Sequence, residues 1–199
     1  MIRNLGVAAL LLVAPLSSSL GQADPDSVKL RNDCRLAAQV LSKGRPAPHD
    51  LWALQIIASC GDLAAEALPP VWQDPPADTV SCAWLVGASV SVRDARVFEA
   101  SMVAAQTPAG PRLVRLSALR VLATYADPRV SVSLEDLTSR RHLPLLVRDD
   151  GNVRDGLQPL PENTREIVMA LLQSLAATDP DEEVRGAAAF LSTGLQGRL

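Results

Sequence analysis

The side chains here best suited to covalent or metal chemistry are Cys34, Cys60 and Cys82 with His49 and His142. A zinc site needs four clustered nitrogen, sulfur or oxygen ligands. The two histidines stand far apart in sequence, and no H-E-x-x-H, paired C-x-x-C or D-x-D-x-D-G pattern occurs. No serine lies in a G-x-S-x-G elbow. Asp149, Asp150, Asn152 and Asp155 crowd a loop around Gly151, an arrangement that can bind calcium. Turns favour the same residue types for backbone reasons alone. Asp181, Glu182 and Glu183 are adjacent carboxylates at the start of a helical pattern, where the helix dipole favours negative charge. They do not form an acid/base pair. The expectation is therefore no catalytic, cofactor-binding or metal-binding residue, and a protein that is not an enzyme.

The cysteines point to a structural role. Cys34 and Cys60 lie at nearly equal distances from the turn Gly44-Arg45-Pro46-Ala47-Pro48. In an antiparallel helix hairpin, positions equidistant from the turn stand at the same height, because each residue rises by about 1.5 Å. A Cys34–Cys60 disulfide would staple the open end of that hairpin and add about 3 kcal/mol for a loop of this size. The alternative is two separately buried thiols. Cys82, in an apolar helix beside Ala83 and Trp84, reads as a core thiol.

An oxidising destination agrees with the first residues. Arg3, an apolar run from Leu5 to Leu16 and the small residues Gly21 and Ala23 make a secretory signal peptide cleaved after Ala23. The run is shorter than the roughly 20 residues of a membrane span. Residues 1–23 are read as leader and 24–199 as one domain, exported to a periplasmic or extracellular location and not inserted in the membrane. The net charge is −3, and Lys29 and Lys43 are the only lysines, so no basic footprint for nucleic acid is present. Arg112, Arg115, Arg120, Arg129, Arg140 and Arg141 form the densest basic stretch, partly offset by Asp127, Glu135 and Asp136. A solvated helical surface accounts for it, with an anion-binding face as the alternative.

Hydrophobic residues make up 48% of the chain but aromatics only 3%, so Ala, Leu and Val must build the core. These favour helices that approach closely, and a β-sandwich would want more aromatic and β-branched residues. The fold class is expected to be all-α. Helices are predicted over 27–43, 49–59 (burying Trp52 and Ile56, with Leu51 and Ile57 as further candidates), and from Asp62, with Leu63, Ala67 and Leu68 inward. Pro69-Pro70 should kink or stop this last one before Trp72. A helix over 79–90 carries Val80, Ala83, Trp84 and Gly87 along one side, and another covers 93–106. Val114, Ala118, Val121, Leu122 and Tyr125 show the cleanest helical period. Residues 142–161 break the pattern as a strand-and-turn or an ordered loop. Asn163 with Glu166 forms a capping box before Ile167, Val168, Leu171, Leu172 and Leu175. The final helix runs from Asp181 to about Thr193. Asp-Pro recurs at Asp24, Asp74, Asp127 and Asp179, spaced 50, 53 and 52 residues apart, as a larger unit or by chance.

Amphipathic helices joined by short turns indicate an α-solenoid. Residues 163–194, with an apolar first helix, Asp179-Pro180 in the turn and Val184-Arg185-x-x-Ala188 plus Leu191 in the second, resemble a HEAT repeat. Val114-Arg115-x-x-Ala118 with Leu122 repeats the pattern. The resemblance implies a right-handed α-α superhelix of HEAT-like hairpins, with one irregular insertion near 142–161. It also implies a hydrogen-bond ladder between repeats through Asp179 and Arg185. The functional expectation is a non-catalytic protein-interaction or scaffolding module with an unidentified protein partner. Leu143, Leu145 and Leu146 of the irregular loop either dock on the protein's own helices or, with Asp149 and Asp150, are candidate partner contacts, because loops on a rigid stack tend to carry recognition. The alternatives are an enzyme or ligand carrier with a groove near 142–161, and a purely structural envelope component.

Overall fold

The computed structural model describes residues 25–43, 50–129 and 157–197, which form helices and connecting turns with no strand among them. The helices are α1 (Pro25–Leu41), α2 (Leu51–Ile57), α3 (Asp62–Gln73), α4 (Thr79–Val92), α5 (Ala95–Gln106), α6 (Arg112–Ala126), α7 (Thr164–Thr178) and α8 (Glu182–Leu195). The protein is all-α over these residues. Neighbours in sequence pair as α1 with α2, α3 with α4, α5 with α6 and α7 with α8. Across the pairs, α1 packs on α3 and α3 on α5, while α2 packs on α4, α4 on α6 and α6 on α8. Two rows of helices result, with the core between them.

Helix α6 is central. Every residue from Val114 to Tyr125 except half-buried Arg120 is buried, because α4, α5, α7 and α8 all touch this helix. Small side chains make such crowding feasible: Ala118 and Ala123 are fully enclosed beside Leu119 and Leu122. Val97, Phe98 and Ala105 of α5 also face the core, as does the stripe expected on α7 through Val168, Leu171, Leu172 and Leu175, while Ile167 is only partly buried.

Several local expectations are corrected. Helix α3 runs through Pro69 and Pro70 to Gln73. Val71 and Trp72 are buried, and the Trp72 indole N–H donates to Ser89 Oγ at 3.0 Å, so packing holds the last turn in spite of the missing amides. On α2 the enclosed residues are Ala53, Leu54 and Ile57, with Trp52 and Ile56 only partly buried. Helix α4 turns the side bearing Val80, Ala83, Trp84 and Gly87 to solvent. Val80 is 56% and Trp84 42% exposed, whereas Cys82, Leu85, Val86 and Ser89 fill the core. Helix α5 starts at Ala95, because Arg93 adopts a left-handed φ of 48° and Asp94 caps the helix by accepting the Arg96 amide. The Asn163–Glu166 capping box does not form: Asn163 makes no side-chain cap, and Thr164 Oγ1 donates to the Pro161 carbonyl instead.

The Asp-Pro recurrence does not mark one structural place. Asp127 and Asp179 are buried turn residues, Asp74 is an exposed residue just past the end of α3, and Asp24 lies outside the described residues. What does recur is an aspartate that accepts the amide two residues on, at Asp94 (2.8 Å), Asp127 (3.0 Å) and Asp179 (2.9 Å). Two of these have an arginine at that second position, Arg96 and Arg129, which returns its guanidinium to the same carboxylate. Asp94 also accepts the Gln158 amide, and Gln158 in turn accepts from Ala95, which fastens the 157–160 segment to the start of α5.

Candidate functional site

Cys34 of α1 and Cys60, just beyond α2, stand at disulfide distance, with Cα atoms 5.5 Å apart. Cys82 is a free thiol with no solvent access. Burial pushes its pKa up to about 11, aided by the Asp78 charge. A thiol so buried and so weakly acidic is a packing group and not a nucleophile.

The ladder expected at Asp179 takes a different form. Arg185 reaches main-chain oxygens, those of Asp179 (2.6 Å) and Pro180 (3.2 Å). The Asp179 carboxylate is held by Arg115 of α6, through Nη1 at 3.0 Å and a second bond from Nη2. Arg115 Nε also donates to the Ala105 carbonyl of α5. Both partners are almost fully enclosed. Burial alone would raise the Asp179 carboxyl, but the Arg115 and Asp181 donors outweigh it and hold the pKa below the ordinary value. A bidentate arginine thus joins the α5/α6 pair to the α7/α8 turn, a geometry for which the planar guanidinium is suited.

Two other arginines of that stretch are engaged too. Arg112 binds Asp181 at 2.7 Å and Glu183 at 2.9 Å, and Arg129 binds Asp127 at 2.8 Å. Their placement corrects the picture of a solvated helical surface in part: Arg115 is interior, and Arg112 and Arg129 pair with acids of α8 and of their own turn. Asp181, Glu182 and Glu183 sit at the α8 N-terminus, where Asp181 caps the Glu183 and Val184 amides. His49, His142, Leu143, Leu145, Leu146, Asp149, Asp150, Asn152, Asp155, Arg140 and Arg141 lie outside the described residues. Among the described residues no three His, Cys, Asp or Glu side chains group to hold a metal ion.

A feature the sequence reading missed is an open cavity of about 710 Å³ between α3 and α5, closed below by the start of α6. Pro69, Trp72, Val103, Ala104 and Val114 make it largely apolar. Its shape is fixed from both sides. The Trp72 ring is tethered to Ser89, and Arg96 of α5 binds Asp62 of α3 at 2.8 Å, bridging the two helices at one end. Arg96 is also held by Asp94 at 2.9 Å and lies 4.0 Å from Glu66. Its charge is therefore offset by two bonded carboxylates, while Glu66 and Glu99 stand exposed on the rim.

A sequence signal for this asymmetry exists. Between Arg45 and Arg93 the chain has no lysine or arginine, yet it carries Asp50, Asp62, Glu66, Asp74 and Asp78. Helix α3 thus contributes only negative formal charge, through Asp62 and Glu66, while α2 and α4 contribute none. The expected partner loop and the observed groove are different places, because periodicity identifies which residues are apolar but not which stay uncovered after packing. Among the described residues no helix is long and apolar enough to cross a membrane. No protein-family model, curated protein or solved structure matches the chain.

Proposed function

We propose that this chain is an exported HEAT-like helical-repeat protein acting as a non-catalytic interaction module, which holds a partner protein on its helical surface. The observation that carries this reading is the open apolar groove between α3 and α5, set in two rows of paired helices. Apolar surface left uncovered in a rigid concavity is a common mark of recognition. The HEAT-like character rests on the Asp179-Pro180 turn, the α7/α8 pairing and the arginine–aspartate link between helix pairs. The exported location rests on the leader pattern and on a cysteine pair compatible with an oxidising compartment.

Two measurements test it. Sequencing the N-terminus of the protein recovered from its native compartment should give Asp24 as the first residue. A photocrosslinking residue placed at Val103, and separately at Trp84, should yield a covalent product with a discrete protein, identified by mass spectrometry. The absence of any product from exposed helical positions contradicts an interaction role.

A further inference from the structure

The groove between α3 and α5 combines two properties that narrow what can occupy it. Its floor and walls are apolar, with Val103 62% exposed at the lip. Its rim is acidic. Glu66 and Glu99 project from α3 and α5 on either side, and Asp62 and Asp94 already neutralise the one cation there, Arg96. Residues 46–92, which include the whole of α3, contain no lysine or arginine.

We propose, building on the interaction reading above, that this groove docks a partner's peptide segment that is apolar on one side and carries lysine or arginine beside it. An apolar side chain enters between Pro69 and Val103 over Trp72, and flanking cations meet Glu66 and Glu99. An anionic segment would instead meet the exposed carboxylates of Glu66 and Glu99. The groove is pre-shaped, because Trp72 is tethered to α4 and the Arg96–Asp62 bridge fixes the spacing of α3 and α5. Little ordering is then lost on binding. The rim carboxylates are solvated, so their contribution is selective and salt-sensitive, while the apolar contact persists at high salt.

The test uses the full mature chain with its disulfide intact and three labelled synthetic peptides of equal length. Each places leucines at helical i, i+3, i+4 spacing, with lysine, glutamate or glutamine at the remaining positions. Fluorescence anisotropy at low salt should show the lysine peptide binding roughly tenfold tighter than the glutamate peptide, with glutamine between them. Added sodium chloride should shrink that gap. The double substitution Glu66→Lys/Glu99→Lys should reverse the order, and Val103→Asp should weaken the glutamine peptide by roughly tenfold. All three positions are exposed, and circular dichroism should show each variant folded.

The proposal is overturned if the lysine and glutamate peptides bind alike, or if none binds. It is equally overturned if the lysine peptide binds but neither variant changes its affinity, which would place binding elsewhere. A crosslinked partner at Trp84 with no charge selectivity at the groove would leave the interaction role standing and remove this site. No crosslinked partner at any position, with selective peptide binding retained, would have the opposite meaning.

Discussion

Replacing Asp179 with asparagine would leave the Arg115 guanidinium enclosed between α5, α6 and the α7/α8 turn with no counter-charge. Breaking one side of such a buried pair typically costs about 3–5 kcal/mol, and urea unfolding of Asp179→Asn at neutral pH should show a loss of that order. Replacing both partners by apolar residues, Arg115→Met with Asp179→Leu, should cost less than Asp179→Asn alone. Acid dependence follows from the same residues. The pKa values of Asp94, Asp127, Asp179 and Asp181 are all held below the ordinary carboxylate value by their arginine and amide partners. Groups depressed on folding stabilise fully above the unfolded value, and that stabilisation fades as pH falls through the folded values. Stability should therefore be level from neutral pH down to the ordinary carboxylate range and decline below it. The decline should be shallower in Asp179→Asn, as read from unfolding midpoints across acidic buffers. At this scale the sequence was half legible. The turn around Asp179 is recognisable from local pattern, but its partner is 64 positions away, and spacing along one helix reveals only partners within a turn or two.

Helices show where periodicity succeeds and where it fails. On α6 the apolar stripe pointed inward as expected, and the helix proved buried on its other sides as well. On α4 the pattern was ambiguous. The segment Thr79–Val92 contains no charged residue, so no polar face marks the outside, and only the packing of α2, α3 and α6 decides which side is enclosed. The consequence is measurable. Trp84→Ser, on the exposed side, should change stability by no more than about 0.5 kcal/mol. Trp72→Ala removes a buried ring and its bond to Ser89 and should cost about 3–5 kcal/mol. Calorimetry of the two variants separates these outcomes, and the reverse ranking would contradict the assignment of faces. The proline pair of α3 was misleading for a related reason. Local chemistry disfavours a helix there, yet burial of Val71 and Trp72 carries the helix past it.

For the molecule as a whole, class was readable from composition, because a core short of aromatics and rich in Ala, Leu and Val has few ways to close except as packed helices. Its surface was less readable. Among the described residues α7 and α8 pack on α6, and Val103 of α5 stays exposed at the α3/α5 groove. No single segment encodes that. Charge segregation was present in the sequence as a cation-free run, and it acquires meaning only once α3 is placed beside α5. The proposed HEAT-like interaction role rests on this level of organisation.

The Cys34–Cys60 pair has a bearing on when the fold is completed. Helix α2 has only seven residues, far below the roughly 12–15 at which a helix begins to hold itself in water, so it depends on α1, α4 and the covalent link. Cys34→Ala/Cys60→Ala should lower stability by about 3 kcal/mol, and hydrogen exchange should place most of the loosening in α1 and α2. Until the thiols pair, the seven-residue α2 lacks the link to α1, so the α1/α2 end should be the last part of the stack to gain protection from exchange.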